Sequence, residues 1–461
     1  MDNEVYSESL AFPQVKKRAV SSRSYRVKIP PSNGSSFLSG QTIQVDLPGN
    51  QAATYYNMNQ MYLKFKVKFP EAAILNSNGA YNFIKRLTIV TAGSTICDIQ
   101  NYNVLTSAFL DTQASREWKA SSGNILCGMY GDSLRGEAHG ANDERIFCIP
   151  IVLNVLSSTT PHRLIPAFSL SSLQIRFELE LPKAAYYGPG TLNYAVSEVE
   201  LVTMMTQLSS SAQAEIDKIT NGQYNILAVN YMNSNTSQSA GASVVTANLG
   251  FSMSSLERII VVHRKTDAAV GTANIYSTSR FQNGLSEFSF LINSEQYPAR
   301  PILVDNKNGA ETWAESLISD HALVNFKQGA SINIGLAAVG VLGVGTSDLS
   351  GVAPDVAKRQ SFVLTKAQAT GASSGAAAVS GTAATASSVG TFVASCEFES
   401  SISDGKSSSI YSGISTIASA LSYRGVYANE VPEAAQIDFF ACYTVLLSLD
   451  MRGLGVFQMR V

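Results

Sequence analysis

Few residues in this sequence have the types and spacing that catalysis or metal binding requires. None of the four histidines has a second histidine or a cysteine at metal-ligand spacing: His139, His162, His263 and His321. Neither tryptophan, Trp118 or Trp313, lies near a carboxylate pair on a well-patterned strand, as a sugar-cleaving cleft would require. We therefore predict no catalytic, cofactor-binding or metal-binding residues and no enzymatic activity.

Two glycine-containing motifs resemble parts of nucleotide-binding loops. Gly405-Lys406-Ser407 matches the end of a phosphate-binding loop, but such a loop needs a glycine where this chain has Ser400. The glycines at 340, 343 and 345 resemble a dinucleotide fingerprint, but Pro354 and its neighbours interrupt the helix that should follow. Both motifs are better explained as loops.

A basic cluster near the N-terminus is the clearest candidate for contact with another molecule. Its members are Lys16, Lys17, Arg18, Arg23, Arg26 and Lys28. One interpretation is a solvated terminus without a partner. The other is an assembly arm, residues 1–39, that contacts a neighbouring subunit, nucleic acid or an anionic membrane.

The composition favours a large protein that hides part of its surface. With 461 residues, the chain predicts two or three domains. Only 15% of its residues are charged, below the usual quarter, and the formal net charge of −2 gives no overall attraction to nucleic acid. Many buried partner contacts would explain so few charges.

The cysteines and the N-terminus indicate synthesis in a reducing compartment. The five cysteines are scattered and form no C-x-x-C motif, so we predict free thiols: Cys97, Cys127, Cys148, Cys396 and Cys442. Asp2 and Glu4 precede no apolar run, so no secretion signal is expected.

Residues 173–181 form the best-patterned strand. Apolar and polar residues alternate there, which is typical of a strand with one buried face. We predict burial of the apolar set: Leu173, Ile175, Phe177, Leu179 and Leu181. The set between them should not be buried: Gln174, Arg176, Glu178 and Glu180. The same alternation recurs in residues 61–69, with Lys64, Lys66 and Lys68 outward.

A helix is predicted between two β-rich halves. Ser210 and Gln213 match a capping box, and Gly222 can end the helix. This gives a first domain at 40–208, a linker helix at 209–222 and a second domain at 223–461. The second contains a Gly/Ala/Ser-rich insertion near 335–390 that cannot bury a core of its own. A short match between residues 84–90 and 256–262 suggests internal duplication.

The order of several segments resembles that of the double jelly-roll major capsid proteins of adenovirus-like, virophage, polinton-like and adintovirus-like viruses. In the first half these segments are residues 39–48 with 55–69, and 164–170 with 173–181 and 199–208. The second half contributes residues 412–416. None is a catalytic motif, and the resemblance lies in their order.

The resemblance implies an all-β fold of two tandem antiparallel jelly rolls, eight-stranded sandwiches with short helices and long loops. It implies homotrimers that form pseudo-hexameric capsomers and tile an icosahedral shell around a genome. Further implied partners are penton or minor capsid proteins, and the genome or an internal membrane through the arm. The location would be the virion, after synthesis inside the host cell without secretion. The alternatives are a surface adhesin or fibre and a carbohydrate-binding β-sandwich.

Overall fold

A computed structural model of the chain describes residues 22–49, 51–76, 78–91, 93–129, 135–160, 164–169, 172–186, 192–266, 277–304, 310–320, 392–399, 413–429, 431–450 and 457–460. The insertion at 335–390 and both glycine-containing motifs lie outside these residues. So do Lys16, Lys17 and Arg18.

The first half contains thirteen of the strands. They are β1 Ser22–Ile29, β2 Ser36–Leu38, β3 Thr42–Leu47, β4 Thr54–Lys68, β5 Ala73–Asn76, β6 Ile84–Thr91, β7 Ser94–Gln100, β8 Arg135–His139, β9 Glu144–Pro150, β10 Thr159–Thr160, β11 Ile165–Pro166, β12 Leu173–Leu179 and β13 Ala195–Leu208. The second half contributes β14 Gln223–Gln238, β15 Val244–Leu249, β16 Leu256–Lys265, β17 Leu285–Ile292, β18 Glu295–Leu303, β19 Ala394–Glu397, β20 Leu421–Tyr427, β21 Ala435–Asp450 and β22 Phe457–Arg460.

The helices are short. They are α1 Tyr102–Gln113, α2 Arg116–Trp118, α3 Asn124–Cys127, α4 Pro182–Ala185, α5 Ser210–Thr220 and α6 Ala310–Ser319, with 3-10 turns at Gly79–Phe83 and Ala167–Ser169 and a π-helical turn at Lys119–Gly123. Among the described residues, none of these helices has the length and apolar character needed to cross a membrane.

The first half folds into two packed four-stranded sheets. One has the order β1-β13-β4-β9 and the other β3-β12-β6-β7, while β2 and β11 pair with β13 and β4. All pairs within these two sheets are antiparallel. Their apolar faces enclose buried residues such as Phe65, Phe147 and Phe177, as expected of a β-sandwich.

The second half repeats this arrangement. Its sheets have the orders β14-β21-β16-β19 and β15-β20-β17-β18, again antiparallel. Each half has eight main strands, which are β1, β3, β4, β6, β7, β9, β12 and β13 in the first half and β14 to β21 in the second. Counted along the chain, the first, eighth, third and sixth of these strands form one sheet in both halves. The second, seventh, fourth and fifth form the other. This is jelly-roll topology, so the prediction of an all-β fold with two tandem eight-stranded jelly rolls is confirmed.

The two rolls share their strand order, but the short sequence match between residues 84–90 and 256–262 does not reflect it. Residues 84–90 belong to β6, the fourth main strand of the first roll. Residues 256–262 belong to β16, the third main strand of the second roll. The match therefore joins strands that are not equivalent. Strands with a buried face share apolar alternation, so short matches between them arise without common position.

The two rolls are in contact. β7 of the first roll and β14 of the second are parallel neighbours at one register pair, Asp98 opposite Met232, which joins two of the four sheets into a ten-stranded sheet. The buried apolar residues of both rolls also form one continuous cluster. α5 lies between β13 and β14, at the passage from one roll to the other.

β1 corrects the predicted extent of the arm. Ser22–Ile29 pairs with β13 along its whole length, with Ser22 opposite Leu208 and Ile29 opposite Leu201. The strand buries Ile29 to 6% exposure and shields Val27 in part, because apolar residues alternate with exposed ones. Residues 22–29 are therefore an edge strand of the first roll and not an arm. β2 likewise pairs with β13.

β12 confirms most of the predicted core register. Leu173, Ile175, Phe177 and Leu179 are at most 2% exposed, as predicted. The prediction is wrong at the end of the strand, where Leu181 is 40% exposed and Glu180 only 5%. The register shifts between Glu178 and Leu179, and α4 follows at Pro182, so the alternation stops before Leu181.

The start of α5 also differs from the predicted capping box. Ser209, not Ser210, is the N-cap, and its hydroxyl accepts a hydrogen bond from the Ala212 amide. The Gln213 side chain instead bonds to Tyr55, Asp217 and Tyr224. The helix ends at Asn221 and Gly222, both with positive φ.

Gly413 shows why a glycine occurs in the last segment of the family resemblance. Its amide donates to the Ser255 hydroxyl at 3.0 Å, and the next residue, Ile414, forms a β-bridge with Leu256. A Cβ at position 413 would lie 2.3 Å from the Leu256 carbonyl oxygen. Only glycine fits such a close approach of two backbones.

Candidate functional site

The described residues contain no metal-binding cluster. No group of three or more His, Cys, Asp or Glu residues among them is placed to hold a metal ion. His139 stacks on Phe69 at 4.2 Å between ring centroids, and its Nδ1 lies 3.1 Å from Asp143. The cysteines are free, and only Cys148 is not fully buried. The structurally distinctive features are instead the junction between the rolls and the basic residues of β1.

A buried polar segment, residues 277–283, lies at the junction. Its residues are at most 9% exposed although most of them are polar. Ser277 donates its amide to the Ala184 carbonyl of the first roll at 2.9 Å, and Asn76 of the first roll donates to the Thr278 hydroxyl. The segment leads into β17, so the second roll begins its fourth strand from a position anchored to the first roll.

Asp111 of α1 is the centre of one buried ion cluster. Lys119 Nζ donates to its Oδ1 at 2.8 Å, and Arg280 Nη2 donates to its Oδ2. The three side chains are at most 3% exposed. Burial lowers the pKa of Arg280, and the neighbouring Asp111 carboxylate opposes that shift. One carboxylate thus compensates two buried cations, one from each roll.

A second buried pair joins β16 to β21 and reaches the first roll. Arg264 Nε donates to Asp438 Oδ2 at 2.6 Å, with both side chains at most 1% exposed. Asn101, which precedes α1, donates to Asp438 Oδ1 at 3.0 Å. Arg264 also donates to the Ser277 carbonyl at 3.0 Å. We call Asp111, Lys119, Arg264, Arg280 and Asp438 the junction cluster.

α1 makes further contacts with the second roll near both of its ends. At its start, Asn103 donates to the Ser277 hydroxyl at 2.8 Å and to Glu180 at 2.9 Å. At its end, Gln113 donates to the Asp320 carbonyl of the second roll at 2.7 Å. Buried hydrogen-bonded charges add little net stability but require one geometry, because displacement leaves them unpaired. The junction therefore holds the rolls in a defined relative orientation.

The predicted arm residues fall into two groups. Arg23, Arg26 and Lys28 lie on β1, at the edge of the first sheet. Lys28 Nζ lies 3.3 Å from Glu200 Oε2, which also accepts from Lys64 at 3.1 Å. The guanidinium of Arg23 lies 5.9 Å from the Tyr25 ring centroid. Charged residues on an edge strand oppose unwanted pairing with other strands.

Sequence reasoning missed the junction cluster and the strand character of β1. The cluster joins residues distant in sequence, and no spacing indicates it. β1 carried a usable signal, because Tyr25, Val27 and Ile29 alternate with Arg26 and Lys28.

A buried histidine connects the two sheets of the second roll. His263 of β16 is fully buried, and its Nε2 lies 2.7 Å from the Tyr427 hydroxyl of β20. Burial lowers the pKa of its imidazole from 6.5 to about 3. The folded protein therefore keeps His263 neutral at pH values where the unfolded chain protonates it.

This difference predicts a loss of stability in acid. Well below pH 6.5 each pH unit should cost about 1.4 kcal/mol through His263, so roughly 2.5 kcal/mol is lost between about pH 7 and pH 4.5. His263→Gln should remove that part of the pH dependence. Urea unfolding of both proteins at about pH 7 and pH 4.5 measures it. Equal losses in the two proteins would show that His263 does not titrate as described.

The fold is similar to that of solved viral structures. PBCV-1 VP54, fitted into a reconstruction of the virophage Sputnik, gives a TM-score of 0.59 at 10% identity, over 98% of this chain and 99% of that chain. The Faustovirus major capsid protein gives 0.58 at 8% identity, over 95% and 92%. A chain of the Sputnik virophage structure gives 0.52 at 10%, over 99% and 93%.

No family model matches the sequence, and no curated protein matches it either. The likeness is therefore one of structure, spread over almost the whole length of the chains compared. At identities of 8–10%, this structural likeness shows the fold alone. This chain has the double jelly-roll fold of the Faustovirus major capsid protein.

Proposed function

We propose that this chain is a viral major capsid protein, which assembles with copies of itself into a shell around a genome. The observation that carries the proposal is the repeated jelly-roll topology, matched over nearly the full length by viral capsid structures. The role is structural and needs no catalysis. Neither the adhesin nor the carbohydrate-binding alternative is favoured by these similarities.

The pairing of two rolls in one chain supports assembly into trimers. Two similar sandwiches held side by side give each subunit two of the six corners of a hexagon, so three copies complete a pseudo-hexameric ring. A ring of this kind needs a constant angle between the rolls, which is what the junction cluster supports. We propose homotrimers that tile an icosahedral lattice.

The proposed partners beyond the chain itself are penton or minor capsid proteins. We also retain the proposal that Lys16, Lys17 and Arg18, in residues 1–21, contact the genome or an internal membrane. The proposed location is the virion, after synthesis inside the host cell without secretion. Low overall charge supports extensive contacts between subunits, because only 15% of the residues are charged.

The oligomeric state tests the proposal. Size-exclusion chromatography with light scattering should give a particle three times the 49.2 kDa mass of the chain. A trimer that persists on dilution supports the capsid subunit. A folded monomer at high protein concentration would contradict it, because nothing would then bring the rolls of three chains together.

A further inference from the structure

A groove lies beside α5, where the first roll continues into the second. It encloses about 490 Å³ and is lined on its apolar part by Ala52, Ala53 and Phe168. Gln213 and Asp217 of α5 contribute the polar lining. The groove therefore combines a small apolar surface with a carboxylate, which suits a segment carrying both small apolar residues and cations.

The lining side chains are fixed by contacts within the fold. Tyr55 donates its hydroxyl to Gln213 Oε1 at 2.8 Å, and Tyr224 donates to Asp217 Oδ1 at 2.5 Å. Gln213 Nε2 also donates to Asp217 Oδ1 at 2.8 Å. The rings of Tyr55 and Tyr224 pack edge-on against Phe168, with centroids 5.4 and 5.7 Å away. The groove is thus formed before anything binds, which favours specific docking.

α5 itself is little covered by the described residues. None of its residues is buried, and Ile219 is 84% exposed. Glu215 and Asp217 of α5 are exposed, and Lys218 is the cation beside them. A partner for this end of the molecule should therefore be cationic, at least in part.

The N-terminal segment leaves the first roll beside this groove. Ser22, the first residue of β1, is paired with Leu208, whose amide donates to the Ala53 carbonyl at 2.8 Å. Two strand spacings, roughly 10 Å, therefore separate Ser22 from Ala53. An extended chain covers that distance in about three residues. The 21 residues before β1 thus start within reach of the groove.

The sequence of that segment matches the groove in charge and size. Lys16, Lys17 and Arg18 provide three cations, and Ala19 and Val20 follow as small apolar residues.

We propose that residues 15–20 of the same chain occupy this groove, with the apolar pair against Phe168 and the cations beside Asp217. The docked segment pairs its cations within the chain and does not offer them to nucleic acid or a membrane. Docking and contact with another molecule are then alternative states of the segment. Docking of the segment requires only the folded chain and does not depend on shell formation.

Limited trypsin digestion of the full-length protein tests this, because trypsin cleaves after Lys16, Lys17 and Arg18. A docked segment must leave the groove before it can be cleaved, so its rate reports the undocked population. We expect cleavage about tenfold slower than in a synthetic peptide of residues 1–21. Higher salt should accelerate cleavage of the protein, because it screens the contact with Asp217.

Two variants and one control test whether the segment's cations contact Asp217. Asp217→Asn keeps a hydrogen-bond acceptor for Tyr224 but removes the charge, and should raise the cleavage rate about threefold to fivefold. Glu215→Gln removes one charge from the same helix without lining the groove and should leave the rate unchanged. Replacing Lys16 and Lys17 with glutamine, outside the described fold, should accelerate the cut after Arg18.

Three results would overturn the proposal. The first is cleavage of the full-length protein at the rate of the free peptide. The second is an equal effect of Asp217→Asn and Glu215→Gln, which would indicate general electrostatics and no groove contact. The third is protection that appears only in concentrated or assembled protein, which would identify a second copy of the chain as the source of the segment. A trimer found by light scattering is unaffected by any of these outcomes.

Discussion

Asp111→Asn is expected to lower the free energy of unfolding by about 3–5 kcal/mol. The substitution preserves the shape of the side chain but leaves Lys119 and Arg280 without their counter-ion, and both cations are at most 3% exposed. A buried cation without a partner loses its hydration and gains nothing in return. Urea unfolding of the purified variants, followed by circular dichroism, measures the change.

Asp98→Asn is the matched control. Asp98 pairs with Arg86 at 2.6 Å, but those side chains are 34% and 38% exposed. Ion pairs at such exposed positions contribute about 0–1 kcal/mol. Because Asp111 connects α1 to Arg280 of the second roll, its loss should also separate the unfolding of the two rolls. If both variants lose equally little stability, the junction cluster does not hold the rolls together.

Phe177→Ala should also cost about 3–5 kcal/mol. Phe177 is fully buried at the centre of β12, where it lies opposite Ile43 of β3 and Leu87 of β6. Truncation removes its apolar contacts and leaves a cavity between two sheets that cannot close over it. Denaturant unfolding at neutral pH gives the value directly.

Arg176→Ala provides the comparison on the other face of the same strand. Arg176 is exposed, so its loss should change stability by no more than about 0.5 kcal/mol. A small effect of Phe177→Ala, or a large effect of Arg176→Ala, would mean that β12 has the opposite register.

Apolar alternation predicted β12 and the second half of β4, two inner strands of the sheets of the first roll. β12 and the second half of β4 have the predicted buried faces, including Phe65 and Val67. Apolar alternation predicted burial wrongly where hydrogen bonds decide the position of a side chain. Glu180 is buried because its carboxylate accepts hydrogen bonds from Asn103 and from the Leu181 amide. The basic residues of β1 suggest a solvated arm, whereas the alternation of its apolar and polar residues indicates the strand that the structure contains.

The junction was beyond the reach of sequence patterns. Asp111 and Arg280 are 169 positions apart, and Arg264 and Asp438 are separated by 174. Charged residues usually lie at exposed positions. Nothing in the local sequence around the junction residues shows that the contact between the two rolls buries their side chains. The groove beside α5 was equally unpredictable, since it joins Phe168 and Asp217 from separate elements.

Electron microscopy of the purified, concentrated protein tests the capsid function most directly. If the chain is a capsid protein, the images should show closed shells whose facets are hexagonal arrays of three-chain capsomers, each with two rolls per chain. Fibres, or a folded protein that remains monomeric at every concentration and salt condition at which its fold is intact, would contradict it.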